Sequence, residues 1–114
     1  MDFINTIDLY AILGNAIDNA IEAVEKIQVP EQRQIDVMIY KKQQFLAIHV
    51  VNPIPERLVY EDELPVTTKR SKSDHGYGLK SIRYILRRYD GTLSISDEDG
   101  FFSLMLLIPI PSTT

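Results

Sequence analysis

The sequence contains no cysteine, and this absence removes several kinds of chemistry. Without a thiol, the 114-residue chain forms no disulfide, carries no thiolate nucleophile and builds no cysteine-ligated zinc site. Long apolar runs are also missing, since none approaches the roughly 20 residues that a membrane-spanning helix needs. No leader of basic and then apolar residues opens the chain. We therefore expect a cytoplasmic region that is not inserted in a membrane.

An excess of positive charge is missing as well. The formal net charge is −4 and the isoelectric point is about 5.1, whereas a protein that binds nucleic acid needs a basic face to neutralise phosphates. We therefore expect no nucleic-acid partner. The apolar fraction of 45% is typical of a globular domain. At this length the whole of residues 1–114 is expected to form a single domain.

Hydrophobic periodicity predicts two helices. Apolar residues recur at helical spacing from Thr6 to Ile27, and Asn5 or Thr6 is the expected N-cap. The same spacing returns from Gly78 to Tyr89, and Gly91 is expected to end this helix as a C-terminal glycine.

Alternating apolar and polar residues predict four strands in two hairpins. Residues 35–40 and 45–51 flank a turn at "KKQQ", and residues 92–96 and 101–108 flank "DEDG", whose Asp-Gly pair favours a tight turn. The predicted fold is an α+β sandwich with helices on one face of a mixed, mainly antiparallel sheet. Residues 52–75 are predicted to form a loop of unusual length, with or without a short helix, and such a length favours a functional role.

The stretch "GNAIDNAIEA" places Asn15, Asp18, Asn19 and Glu22 on one stripe of the first helix. Amides at positions i and i+4 can coordinate a hard cation or hold water and phosphate oxygens, and this suits Mg²⁺ bridging a polyphosphate. A solvated helix face is the alternative interpretation of the same stripe.

A second motif, "DHGYGLKS", lies where the long loop becomes a helix. Its glycines allow the backbone to approach an anion, and the helix start adds unpaired N–H groups, so phosphate is the expected ligand. The motif lacks the spacing of a P-loop and of a dinucleotide fingerprint, and a plain turn is the alternative. Combined with the helix stripe and the loop segment "TTKRSK", it predicts a Mg²⁺–nucleotide site with a lid.

These motifs resemble a known superfamily. "ILGNAIDNAIEA" resembles the N box of the GHKL ATPases (gyrase, heat-shock chaperone, histidine kinase and MutL), and "HGYGLKSIRYILRRYDGTLSI" resembles their second glycine box with the following strand. The order of N box, Thr-Thr-Lys and His-Gly-x-Gly-Leu is most similar to peptide-sensing histidine kinases of the accessory-gene-regulator type. The similarity covers almost the entire chain. It implies the Bergerat ATP-binding sandwich, with ATP and Mg²⁺ as ligands.

The resemblance also implies roles for individual residues. Asn19 is the first candidate for Mg²⁺ coordination, and Asn15 helps to hold the metal or its water. Asn52 takes a structural or adenine-side role. The remaining ATP-binding candidates are the lid cations Lys69, Arg70 and Lys72, the motif residues His75 and Tyr77, and the phosphate-cradling amides near Gly76, Gly78 and Leu79.

The sequence departs from the superfamily pattern at two places. No Asp-x-Gly-x-Gly box, whose aspartate reads adenine in many members, follows the strand ending "HVVNPIP", and Asn52 stands in that region. The strand that normally precedes the N-box helix is shortened or missing. We therefore expect either a fragment of a larger sensor kinase or a sheet with one strand fewer.

Neither histidine of the chain has the surroundings of a phosphoacceptor. His49 lies in a predicted strand, where a satisfied, half-buried side chain is expected, and His75 belongs to the glycine box. The resemblance therefore implies a catalytic domain that delivers the γ-phosphoryl of ATP to a histidine on a separate dimerisation domain of the same protein. A response regulator is the indirect partner. The resemblance also allows for a full-length protein that is anchored in the cell membrane.

No catalytic residue is assigned within this chain, and no autophosphorylation of the chain alone is expected. The alternative is a degenerate GHKL-fold module that binds other proteins without catalysis. A self-contained ATPase fits less well, because Asn15 stands near the place of the usual N-box glutamate base.

Overall fold

A computed structural model describes residues 3–55, 60–61, 64–65 and 78–111. The helices are α1 (Thr6–Glu25) and α2 (Gly78–Arg87), with a 3₁₀ turn at Pro30–Gln32. The strands are β1 (Asp36–Lys42), β2 (Phe45–Pro53), β3 (Tyr60–Glu61), β4 (Leu64–Pro65), β5 (Thr92–Ser96) and β6 (Phe101–Pro109).

Four of the strands form the main sheet, in the order β1-β2-β6-β5. Every pairing in this sheet is antiparallel. The short strands β3 and β4 pair with each other in a separate antiparallel ladder. The predicted α+β class and both predicted hairpins are confirmed.

Helix α1 forms where the sequence predicts it. Asn5 is the N-cap, and its side-chain oxygen accepts a hydrogen bond from the amide of Ile7 at 2.7 Å. The helix buries a stripe at intervals of four residues, namely Ile12, Ala16, Ala20 and Val24. It ends at Glu25, two residues before the predicted limit, because the amides of Lys26 and Ile27 bond to carbonyls three residues back.

The core lies between the two helices and one face of the sheet. Both helices pack against each other, α1 also contacts β2, and α2 contacts β5. The side chains of α2 that enter the core are Leu79, Ile82, Ile85 and Leu86. The strands contribute Ile48, Val50, Phe102, Leu104, Leu106 and Ile108. This packing fixes the position of α1 relative to the start of α2.

Gly91 has a different role from the predicted C-terminal cap. The left-handed conformation after α2 is adopted by Asp90, with φ of 57°, and not by Gly91. Gly91 instead donates its amide to Leu86 O at 2.8 Å, and a Cβ on it would lie 2.9 Å from Leu86 Cδ2 and 3.0 Å from Leu107 O. Glycine is therefore needed here for close packing of the helix end on β6.

The two hairpin turns follow their sequences. Asp99 and Gly100 have φ of 57° and 80°, and the amide of Phe101 bonds to Glu98 O at 3.0 Å, as in a type I′ turn. In "KKQQ" only the glutamines form the turn, with φ of 54° at Gln43, whereas Lys42 pairs with Phe45 in the ladder.

Candidate functional site

The polar stripe of α1 lies beside the core. Asn15 and Asn19 are half-buried, next in sequence to the fully buried Ala16 and Ala20, and Asp18 is exposed. These two amide side chains therefore differ from those of a fully solvated helix face, because the core screens part of each from water.

The packing of α1 against α2 brings the two sequence motifs together. A Cβ built on Gly78, the first residue of α2, would lie 3.9 Å from both the main-chain oxygen and Oδ1 of Asn15. The start of α2 therefore lies against the polar stripe. The first N–H groups of a helix have no partner within the helix and attract anions. The side chain of Leu79 is buried in the core.

Six predicted site residues lie outside the described part of the chain: Lys69, Arg70, Lys72, His75, Gly76 and Tyr77. Their proposed contacts with phosphate therefore remain predictions.

Asn52 is the one buried polar or charged residue among the described residues, with 1% of its surface exposed. It occupies the face of β2 that also carries the buried Ile48 and Val50, which is the face towards the helices. Its Nδ2 donates to Pro53 O at 3.1 Å, but its Oδ1 has no hydrogen-bond partner in the described structure. A buried acceptor without a donor costs about 1–3 kcal/mol, so this oxygen is suited to receive a hydrogen bond from a ligand.

His49 lies on the same strand and has a partner. Its Nε2 is 2.6 Å from the hydroxyl oxygen of Ser103 on β6, and the ring is half-buried. The predicted satisfied, half-buried histidine is confirmed.

Sequence analysis missed a polar network that joins the start of α1 to the end of α2. The Tyr89 hydroxyl donates to Asp8 Oδ2 at 2.5 Å and accepts from the amide of Asn5 at 3.2 Å. Arg88 Nη2 lies 3.4 Å from Asp8 Oδ1. We call these four residues the Asp8 network. It therefore ties the start of α1 to the residues that follow α2.

No group of three or more histidine, aspartate or glutamate side chains in the described residues is arranged to hold a metal. A cation at the polar stripe would therefore have at most the carboxylates of Asp18 and Glu22 from this stripe, and its other oxygens would come from amides, water and a bound ligand. Mg²⁺ suits such a site, because it keeps several waters and is often held jointly by one or two side chains and substrate phosphates.

The described residues include no helix with the length and apolar character needed to cross a membrane.

Comparison with known proteins identifies one matching family and two similar sensor kinases. A family model described as GHKL domain matches residues 4–109. A probable C4-dicarboxylate sensor kinase of Bacillus subtilis (strain 168) is 27% identical over 99 residues, which are 82% of this chain and 18% of that protein. A probable C4-dicarboxylate sensor kinase of Halalkalibacterium halodurans is 30% identical over 98 residues, which are 83% of this chain and 18% of the relative.

Among solved structures, the NMR structure of the histidine kinase domain of the E. coli osmosensor EnvZ is similar to this chain. The TM-score is 0.49 at 18% sequence identity, and the match covers 87% of this chain and 66% of the other. The two sensor kinases are much longer than this chain, which spans less than a fifth of the length of each.

Proposed function

The chain belongs to the GHKL domain family, and on that premise we propose that it is the Mg²⁺–ATP-binding catalytic domain of a two-component sensor histidine kinase. The observation that carries this proposal is the close approach of Gly78 to Asn15, where a Cβ on Gly78 would lie 3.9 Å from Asn15 Oδ1. It brings an amide-bearing helix stripe and an anion-attracting helix start to one place, and a metal-bound polyphosphate needs both.

The phosphates of ATP are proposed to lie at the start of α2. The amides near Gly76, Gly78 and Leu79 would donate to phosphate oxygens, where the helix dipole also favours negative charge. Lys69, Arg70 or Lys72 would reach the β- or γ-phosphate, His75 would shape the lid or contact phosphate, and Tyr77 would border the nucleotide. These lid contacts rest on the family resemblance.

Mg²⁺ is proposed to bind at Asn19, with Asn15 one turn earlier holding the metal or its water. The donor set fits this cation, because amide oxygens are hard ligands and the stripe supplies too few charged ligands for a site independent of substrate. When bound, the metal neutralises charge on the transferring phosphoryl group. The protein's own part is to hold the triphosphate between the stripe and the helix start.

Asn52 is proposed to read the adenine. Its buried Oδ1 lacks a donor, and the 6-amino group of adenine is a donor. The Asp-x-Gly-x-Gly aspartate is absent, and the asparagine offers the same kind of acceptor without burying a charge. This assignment explains why a core position of β2 keeps a polar side chain.

Phosphoryl transfer is proposed to proceed to a histidine outside this chain. The bond between the γ-phosphorus and the bridging oxygen breaks, a bond from the phosphorus to an imidazole nitrogen forms, and ADP leaves. The acceptor histidine would lie on the dimerisation domain of the same, larger protein. It would then pass the phosphoryl group to a response regulator. The accessory-gene-regulator subgroup remains a prediction, since the two sensor kinases above are named for C4-dicarboxylates.

The proposal is tested by titrating Asn19→Ala with ATP by calorimetry, with and without Mg²⁺. We expect wild-type affinity to rise with the metal and the variant to lose most of this gain, about tenfold or more, because removing a ligand from a metal site commonly costs that much. Ile21→Ala is the matched control, because Ile21 is an exposed residue of the same helix.

Equal metal dependence in wild type and Asn19→Ala would refute the metal assignment. No ATP binding by folded wild-type protein would favour the degenerate interaction module.

A further inference from the structure

Helix α2 concentrates positive charge on its outer face. The side opposite the core carries Lys80, Tyr84 and Arg87, which follow one another at intervals of four and three residues. Two further arginines, Arg83 and Arg88, flank this row. No acidic residue occurs within α2. The chain as a whole has a net charge of −4, so the sign of the charge is reversed locally on this face.

The stability of α2 does not account for these cations. Lys80 lies in the first turn, where the helix dipole disfavours a positive charge and favours a carboxylate. Arg83 lies three residues after Lys80 and four residues before Arg87, and like charges at these spacings destabilise a helix. The cations are therefore better explained by a contact outside the helix.

The same residues line a shallow groove of about 540 Å³ along the outer face. Tyr84 contributes an aromatic ring to this groove and is 67% exposed. The guanidinium carbon of Arg88 lies 5.5 Å from the centroid of that ring, as in a cation–π contact. Arg88 Nη2 also lies 3.4 Å from Asp8 Oδ1. Arginine and tyrosine are enriched among the residues that dominate protein interfaces, so the groove has the composition of a protein-binding surface.

The neighbouring helix indicates what kind of anion fits the groove. Helix α1 packs beside α2. Its charged residues are all acidic, namely Asp8, Asp18, Glu22 and Glu25. A lipid bilayer or a nucleic-acid duplex laid across both helices would meet these carboxylates and be repelled. A single helix is about as wide as α2 itself and can follow the groove without covering α1.

We propose that the outer face of α2 binds an acidic helix of a partner protein. Lys80 and Arg87 are seven residues apart, about 10 Å along the helix axis. Carboxylates two turns apart on the partner helix match this distance, and an apolar residue between them would pack on the ring of Tyr84. The inference goes beyond the proposed ATP binding, because none of these residues belongs to the proposed ATP site.

A model acidic helix tests the proposal. The probe is a peptide of alanine, leucine and glutamate, with glutamates at alternating intervals of four and three residues. The control peptide has glutamine in place of every glutamate. In an NMR titration of the ¹⁵N-labelled 114-residue chain, we expect saturable shifts of the amides of residues 80–88. The glutamine peptide should bind at least about tenfold more weakly, because it lacks the charges that complement the groove.

Charge reversal tests whether the attraction is local to this face. Arg87→Glu should weaken binding of the glutamate peptide by about tenfold or more, because it places like charges together. Lys42→Glu is the matched control, because it changes the net charge equally at an exposed residue of β1. It should alter the affinity by less than about twofold, since the exposed charge lies on another element and is screened by salt. ATP affinity should be the same in Arg87→Glu and wild type, which separates this inference from the proposed ATP site.

Four results would overturn the proposal. The first is the absence of saturable shifts in the residues of α2, and the second is equal binding of the two peptides. The third is an equal loss in Arg87→Glu and Lys42→Glu, which would mean attraction by net charge alone. The fourth is binding to vesicles of phosphatidylglycerol and phosphatidylcholine that is tighter than binding to the peptide and is lost in Arg87→Glu. This last result would assign the face to a membrane surface.

Discussion

Two polar regions of the molecule contrast in how their hydrogen bonds are satisfied. In the Asp8 network the hydroxyl of Tyr89 both donates and accepts, and both oxygens of Asp8 have partners. At Asn52, by contrast, a side chain that is almost fully buried has an acceptor without any partner in the described structure. The first region holds the helices together, and for the second we propose that a ligand supplies the missing donor.

The largest expected effect comes from Asn52→Leu, which removes the unpaired acceptor. We expect ATP affinity to fall by about 100-fold. The adenine amino group would be buried without an acceptor, and losing one partner of a hydrogen bond in a binding site is costly. The free energy of unfolding should change by less than about 1 kcal/mol, because the loss of the bond to Pro53 O is offset by removal of an unsatisfied buried oxygen. Calorimetry and urea denaturation measure the two effects.

Asn52→Asp keeps an oxygen acceptor at this position and should retain ATP binding, while its buried charge and the lost bond to Pro53 O lower the free energy of unfolding. If Asn52→Leu bound ATP as tightly as wild type, the proposal that Asn52 accepts a hydrogen bond from adenine would be wrong.

The packing that supports both regions is tested by Gly91→Ala. The added methyl group would meet Leu86 and Leu107 at 3.0 Å or less, so we expect a loss of about 1–3 kcal/mol in the free energy of unfolding. Gly14→Ala is the control within α1, where a Cβ would meet nothing within 4 Å. It should stabilise the protein by up to about 1 kcal/mol, because alanine is the better helix former. Equal effects of the two changes in denaturant unfolding would show that the contact at Gly91 is not tight.

A smaller effect is expected from Tyr89→Phe, which removes the central hydroxyl of the Asp8 network. The free energy of unfolding should fall by about 1–2 kcal/mol through the lost bonds to Asp8 and Asn5. ATP affinity should change by less than about threefold, because the network lies outside the proposed site. Tyr84→Phe removes a hydroxyl from a tyrosine that is 67% exposed and should change neither quantity. A large loss of ATP affinity in Tyr89→Phe, without loss of stability, would place the network in the binding site.

Local sequence signals were sufficient for most of the elements. Helical spacing predicted α1, the Asn5 cap was one of two expected residues, and the Asp-Gly pair predicted the turn before β6. These signals succeed because caps, periodicity and tight turns depend on residues close together in the chain.

Features that join distant residues were not predictable in this way. Asp8 and Tyr89 are 81 residues apart, and no periodicity reveals that they meet. Gly91 was expected to supply a left-handed cap, but its role depends on Leu107, a residue of another strand. For the site, the stripe of Asn15 and Asn19 was visible in the sequence, whereas its contact with Gly78 required the packing of the two helices.

The most direct test of the account is a calorimetric titration of the 114-residue chain with ATP, with and without Mg²⁺, followed by inosine triphosphate. We expect saturable ATP binding that Mg²⁺ strengthens, and weaker binding of inosine triphosphate, which has a carbonyl in place of the adenine amino group that we propose as the donor to Asn52. Heats no larger than those of dilution, from a chain shown by circular dichroism to be folded, would contradict the proposed Mg²⁺–ATP site.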